Sequence, residues 1–382
     1  MSQDEPTLSL CMIVRDEERT LAACLESARD LVDEICIVDT GSTDRTLEIA
    51  RSFGAKLRSH EWNDSFAEAR NASLEMAGGD WILVLDADET IRPEAAAELR
   101  RLAAEPGLIG AFARVIDHVG DVVSEEWVMR FFKSDPEHRF AGAIHEQLGP
   151  AFQAKAEKQD LPLELSDDFV IDHHGSADAQ RLERKRERSL RLYARALREE
   201  PDNLYVRYKY ARFLLGEESE LALEALDTVC GRIGALDEEW RASYTWCTEA
   251  YALHALALMN AGALERAAER LEQATYCPAT ANLCFVYALW CLRTEQWAEA
   301  LQAFQDCRSI SGPERMQAPA PGVLTWKSGI GMAEALIGLG LKQEALELVR
   351  REAAENPHCA ELRTRALQLD AELRGTAASS KA

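Results

Sequence analysis

Three stretches in the first hundred residues are apolar almost without interruption: Leu8 to Val14, Glu34 to Val38 and Trp81 to Leu85. A strand with one face in water alternates apolar and polar side chains. Continuous runs of this length therefore belong to strands covered on both faces. Helical patterns lie between them, at Glu18 to Ala28, Thr46 to Phe53 and Phe66 to Ala77. Strand and helix in alternation predict a doubly wound α/β domain with a mostly parallel sheet. From Leu108 to His174 the pattern turns to short strands and loops, with Val122-Val123 and Trp127 to Phe132 read as strands.

At Ser176 the composition changes. Arg181 to Arg198 carries eight basic residues interleaved with Glu183 and Glu187, and reads as a solvated linker helix. Beyond it the chain is helical and repetitive. Ala255 and Ala267, Ala288 and Ala300, and Ala333 and Ala345 are each 12 residues apart, with a turn inside each pair. Ala267 to Ala300 spans 33 residues, and Ala300 to Ala345 spans 45, which accommodates an insertion from Ser311 to Gly322. Small residues at that spacing suit antiparallel helix pairs that approach closely, as in tetratricopeptide repeats. A weaker unit surrounds Ala211 and Ala222. The expected domains are 1–176, a linker helix over 177–200, and an all-α repeat domain over 201–382.

The 382 residues include 66 acidic and 43 basic side chains, for a net charge of −23. Residues 1–178 hold 37 acidic and 17 basic groups, so the excess sits in the first domain. Such a field repels nucleic-acid backbones and anionic lipid, and argues against both as partners. No apolar run approaches the ~18 residues of a membrane span. Met1 to Pro6 is acidic and lacks the pattern of a secretory signal, and the ten cysteines form no CxxC pair. A cytoplasmic chain with reduced thiols is expected.

Four strand-end or helix segments carry the candidate chemistry. Val14-Arg15-Asp16-Glu17 follows the first run, and Asp39-Thr40-Gly41-Ser42-Thr43-Asp44 follows the second. Ligands bind beyond the carboxyl ends of such strands, so Val14, Arg15, Glu17, Asp39, Gly41, Ser42 and Asp44 are candidate ligand-binding residues, although Asp44 also suits a helix cap. Arg70 and Asn71 lie in Trp62 to Asn71, and Arg70 is the type of cation a pyrophosphate attracts. The third apolar run ends in Asp86-Ala87-Asp88-Glu89. Its two aspartates lie about 7 Å apart along the chain at ~3.4 Å per residue, a repulsion that a hard divalent cation relieves. Downstream, Glu146 is a candidate general base. His145, His173 or His174 is a candidate further metal ligand, and His60, His118, His138, His254 and His358 read as structural.

The ordered motifs VRDEE, VDTGSTD, WNDSFAEARN, LDADE and IHE resemble the family 2 nucleotide-sugar glycosyltransferases of GT-A fold. The subgroup with appended tetratricopeptide repeats fits best. It includes peptide cysteine S-glucosyltransferases that modify glycopeptide bacteriocins, and the motifs are also similar to those of lipopolysaccharide-core glucosyltransferases. The resemblance implies a Rossmann-like GT-A domain that uses a nucleotide sugar, a UDP-sugar first of all, with Mg²⁺ or Mn²⁺. It implies that Asp39 contacts the base, that Asp86 and Asp88 hold the ion, and that Arg70 and Asn71 order the donor. Glu146 would then be the base, and His173 the late histidine near the metal. The family's first motif usually reads Asn-Glu, whereas this chain has Asp16-Glu17. The expected acceptor is a peptide, a protein or a glycan, with a homodimer through the repeats as a further partner. The rival readings are a repeat scaffold carrying a relic domain, and a nucleotidyltransferase. The latter normally needs a glycine-rich loop after strand one, which Val14 to Glu17 lacks.

Overall fold

The computed structural model describes residues 5–119, 122–149, 152, 155–156, 159, 161–175, 179–215, 219–310, 319–357 and 359–379. The expected junction at Ser176, residues 311–318 of the insertion and His358 lie outside these residues. Two compact units emerge, Met1–Val206 and Arg207–Ala382.

The first unit is built on an eight-stranded sheet in the order β3-β2-β1-β4-β7-β6-β10-β5. Its first four strands are β1 (Leu8–Val14), β2 (Glu34–Asp39), β3 (Lys56–Ser59) and β4 (Trp81–Val84). They pair in parallel, with Val14 opposite Asp39 and Leu8 opposite Trp81. Alternation explains the apolar runs. Leu8, Leu10, Met12, Val14, Ile35, Ile37, Trp81 and Leu83 enter one core with helix α1 (Leu21–Ala28). Cys11, Cys36, Ile82 and Val84 enter a second core on the other face. Both faces of these strands are dry, as continuous apolarity requires.

Two further helices frame the loops, α2 (Thr46–Ser52) and α3 (Phe66–Leu74). Ser65 caps α3 by accepting from the backbone N–H of Glu68 at 3.3 Å. The turn after α3 needs Gly79, because a Cβ there would lie 2.6 Å from the Ser9 hydroxyl of β1. The rest of the sheet comprises β5 (Glu89–Ile91), β6 (Gly110–Val119), β7 (Val122–Lys133) and β10 (Leu163–His173), with helix α4 (Ala95–Ala104) after β5. A two-stranded ribbon joins β8 (Phe140–Ala141) to β9 (Gln147–Leu148). Val122-Val123 and Trp127 to Phe132, expected as separate short strands, are parts of the single long β7. On β6, Ala111, Ala113 and Val115 are buried and alternate with the half-buried Phe112, Arg114 and Ile116, and such small buried side chains leave a faint alternation in sequence.

Helix α5 (Ala179–Glu199) falls within the first unit. Its Leu192, Tyr193 and Ala196 are 0%, 3% and 6% exposed, so one face of this charged helix is packed. The ten cysteines are all free thiols, and eight of them are buried.

The second unit contains the expected helix pairs: Thr245–Asn260 with Leu264–Ala274, Ala281–Arg293 with Trp297–Ser309, and Trp326–Gly338 with Lys342–Glu355. All six alanines that suggested the repeat are 0% exposed. Each pair turns the same way. The backbone N–H groups of Ala263, Gln296 and Leu341 bond to the carbonyls of Leu258, Cys291 and Leu336 at 2.9, 2.8 and 2.8 Å, closing a Schellman-type stop. The residue before each donor is left-handed: Gly262 at φ +79°, Glu295 at +60° and Gly340 at +81°. Glu295 thus occupies a glycine position. Glu295→Gly should stabilise the protein by about 1 kcal/mol in urea unfolding, since left-handed backbone strains any Cβ. An unchanged midpoint would mean that the Glu295 side chain offsets this strain.

Candidate active site

The carboxyl ends of the parallel strands β1, β2 and β4 lie at the same end of the sheet, and most of the expected site residues follow them. The loops after β1 and β2 are laced together. Asp16, at φ +53°, accepts from the N–H of Thr43 at 2.7 Å and donates its own N–H to Ser42 Oγ at 3.0 Å. The Glu17 and Glu18 N–H groups reach Thr46 Oγ1 and Asp44 Oδ2 at 2.7 and 3.1 Å. Asp44 also accepts from the N–H and hydroxyl of Thr46. Ser42, Asp44 and the backbone of Glu17 are thus engaged in building the loop pair.

Asp39 is 5% exposed, and its carboxylate accepts from the N–H groups of Gly41 and Ser42 at 3.3 and 3.1 Å. Gly41 stands at φ +106°, where a side chain would be strained. Arg15, Asp39, Thr40, Gly41, Ser59, His60, Glu61 and Trp62 line a cavity of about 530 Å³. His60, read from sequence as structural, is part of that wall. Val14 is buried below it, paired to Asp39.

A chain of largely buried charges runs from Glu146 to Glu89, with Asp86 its most exposed member. Arg70 donates Nε to Glu146 Oε1 at 2.6 Å and Nη2 to Asp86 Oδ1 at 2.7 Å. Arg130, on β7, donates Nη2 to Asp86 Oδ2 at 3.0 Å and to Glu89 Oε1 at 2.5 Å. Burial alone would raise the Asp86 carboxyl, but Arg70 and Arg130 override it and hold Asp86 well below the usual carboxylate range. Burial pushes Glu89 up to about 7, with Arg130 opposing. Arg70 Nη1 and Arg130 Nε are buried without a hydrogen-bond partner among the described residues. Asn71 plays another part, holding both the N–H and the carbonyl of Phe140 at 2.8 and 2.9 Å. It ties the β8–β9 ribbon, whose loop bears Glu146, to α3.

Asp86 and Asp88, expected as a carboxylate pair, face different partners. Both Asp86 oxygens face guanidinium groups, while Asp88 Oδ2 faces His173 Nε2 at 3.4 Å. Asp117, on β6, takes the other imidazole nitrogen, Nδ1, at 3.0 Å. The bond with Asp88 outweighs burial and raises His173 to about 9. Among the three candidate histidines, His173 is thus the one beside the aspartates. His174 bonds Thr90 Oγ1 at 3.0 Å and stacks on His118, and His145 meets Tyr193.

Among the described residues no three His, Cys, Asp or Glu side chains converge as a complete ion cage. The donor chemistry nevertheless fits a divalent ion shared with a substrate. Asp88 offers a hard oxygen, His173 a nitrogen, and Asp117 fixes the imidazole from behind as carboxylates do behind metal-bound histidines. Mg²⁺-type sites commonly take one or two protein carboxylates and complete the shell with phosphate oxygens and water.

Sequence reasoning missed Arg130, Glu89 and Asp117. Arg130 left a signal, as a charge set inside the apolar strand run Trp127 to Phe132, and Glu89 stands at the end of the Asp86-Ala87-Asp88-Glu89 motif without having been given a role.

Residues 9–161 match glycosyl transferase family 2. The first unit therefore carries a glycosyltransferase domain of that family. A TPR repeat-containing protein of Synechococcus elongatus is 41% identical over 152 residues, covering 40% of this chain and 38% of that protein. The SPbeta prophage-derived glycosyltransferase SunS of Bacillus subtilis is 27% identical over 239 residues, 58% of this chain and 53% of SunS. The chain thus spans between 38% and 53% of the length of these relatives. Among solved structures, Staphylococcus aureus TarS 1-349 in complex with UDP-GlcNAc aligns with TM-score 0.43 at 16% identity, covering 71% of this chain and 91% of that one. No helix among the described residues is long and apolar enough to cross a membrane.

Proposed function

We propose that the chain transfers a glycosyl group from a nucleoside-diphosphate sugar, a UDP-hexose first of all, to a peptide, protein or glycan acceptor with inversion at the anomeric carbon. One observation carries this reading. The nucleoside-sized cavity at Arg15, Asp39 and Trp62, the Asp88–His173 pair and the Arg70-held Glu146 all follow strand ends or adjoining loops of a family 2 domain.

Each group has a task that its chemistry suits. A carboxylate has about four acceptor sites, so Asp39 can take a base N–H while keeping its bonds to Gly41 and Ser42. Asp88 and His173 would hold Mg²⁺ or Mn²⁺ against the diphosphate. Such an ion supplies neutralisation of the charge that develops on the departing nucleoside diphosphate. Asp86 acts through Arg70, whose guanidinium it fixes. Arg70 in turn aims Glu146, which takes the proton of the acceptor nucleophile as it attacks from the face opposite the leaving group. Val14, Arg15, Glu17, Gly41, Ser42, Asp44 and Asn71 contribute the walls and anchors of this arrangement. The repeat unit is the acceptor-holding part in this reading, because stacked helix pairs offer an extended surface.

The test is incubation of the chain with a panel of nucleotide sugars and Mn²⁺, measuring nucleoside diphosphate against pyrophosphate. Nucleoside diphosphate release supports the proposal. Pyrophosphate release would make the protein a nucleotidyltransferase, and no donor turnover or binding at all would make it a scaffold.

A further inference from the structure

Three non-glycine residues of the first unit have left-handed backbone among the described residues: Asp16, Asp64 and His145. Such conformations cost of order 1 kcal/mol or more, and persist where neighbouring groups over-determine them. Asp16 is fixed by the loop after β2. The other two are both held by α5, the helix that sequence alone marks as a solvated linker.

At His145, φ is +53°, and its Nε2 lies 2.6 Å from the Tyr193 hydroxyl. Tyr193 is 3% exposed, so a buried residue of α5 holds an exposed residue of the loop. Glu146 is the next residue along. At Asp64, φ is +57°, and Arg195 Nη1 donates to the carbonyls of Asn63 and Asp64 at 2.6 and 2.9 Å. Asp64 Oδ1 accepts from Trp62 Nε1 at 2.8 Å, and Trp62 lines the cavity. The Arg188 guanidinium adds a third contact, 5.1 Å above the ring of Phe66 at the start of α3.

We infer that α5 is a clamp on the active site, in which Tyr193 positions the Glu146 loop through His145 and Arg195 positions the Trp62 wall through the Asn63 and Asp64 carbonyls. This inference rests on the transferase reading above. The two arms act on different stages of the reaction. Tyr193 sets the aim of the base, and a misplacement near 1 Å of a reacting group can lower a rate by about 10². Arg195 shapes the wall against which the nucleotide would sit. Both are positioning residues, since neither touches the reacting atoms.

The experiment uses the full chain and two variants, Tyr193→Phe and Arg195→Met. Tyr193→Phe keeps the ring and its packing and removes only the hydroxyl. It should lower kcat about ten- to a hundredfold while the donor KM stays within about twofold. Arg195→Met, which removes both hydrogen bonds to the Asn63 and Asp64 carbonyls, should raise the donor KM by about tenfold, or about 1.4 kcal/mol, with kcat little changed. Hydrogen–deuterium exchange should quicken over residues 142–146 in the first variant and over 62–66 in the second. Equal effects of both variants on kcat and KM, or kinetics unchanged beside faster exchange, would overturn the clamp as a positioning device. Unchanged exchange would overturn it as a clamp of any kind. A wild-type chain that turns over no nucleotide sugar would instead defeat the transferase reading, and exchange would then decide the clamp by itself.

Discussion

Glu146→Gln should lower turnover by roughly 10²–10⁴, the scale of a lost general base, while nucleotide affinity stays near that of the wild type. Glutamine suits this test because it retains an acceptor oxygen. The Arg70 Nε–H that now bonds Glu146 Oε1 at 2.6 Å still finds a partner, so the buried charge chain keeps its geometry. Alanine would leave that donor unsatisfied in a site where the Arg70 side chain is only 10% exposed, and would confuse loss of the base with collapse of its support. Steady-state kinetics beside nucleoside diphosphate titration separates the two effects. A variant that lost affinity yet kept its turnover at saturation would make Glu146 a binding residue.

The second large effect concerns the fold around the site. Arg130→Met should destabilise the protein by about 3–5 kcal/mol in urea unfolding, the usual consequence of removing one partner from a buried ion pair. Glu89 is 2% exposed and the Arg130 side chain 11%, so no solvent replaces the lost guanidinium. The loss should grow with pH. Burial already pushes the Glu89 carboxyl up to about 7, and without Arg130 it rises further. Wild type and variant both hold this proton up to about pH 7, which the unfolded chain has already released. The difference between them therefore widens as pH climbs above about 7, where the wild type gives the proton up and the variant keeps it. Adding Glu89→Gln should recover part of the loss at neutral pH, because glutamine is neutral without the free-energy cost of holding a proton that the unfolded chain releases. A destabilisation below about 1 kcal/mol would place this pair in the class of solvated surface bridges.

Much of the architecture is legible in the chain because it follows from local pattern. Strands β1, β2 and β4 are written as unbroken apolar runs, since each feeds one core from its even positions and the other from its odd ones. The repeat unit is written as alanines 12 residues apart, all fully buried where paired helices meet. The aspartates after β4 are equally visible. Their partners are not. Arg130 reaches Asp86 across 44 residues, and Asp117 reaches His173 across 56, through strand registers that no local pattern encodes. The pairing of Asp86 with two arginines follows from those registers, and so does the assignment of Asp88 rather than Asp86 to His173. Helix α5 misleads for a different reason. Its sequence is strongly charged, yet the guanidinium groups of Arg188 and Arg195 fold onto the domain beside Tyr193 while other basic side chains face water.

In the proposed function, Asp88 and His173 would hold a divalent ion together with a nucleoside diphosphate. Calorimetric titration of UDP into the wild type and Asp88→Ala, each with and without Mn²⁺, tests it most directly. The account predicts that Mn²⁺ raises UDP affinity by at least about tenfold, or 1.4 kcal/mol, in the wild type and does not raise it in Asp88→Ala, while both proteins keep the same unfolding cooperativity. An equal Mn²⁺ enhancement in the two proteins would contradict it.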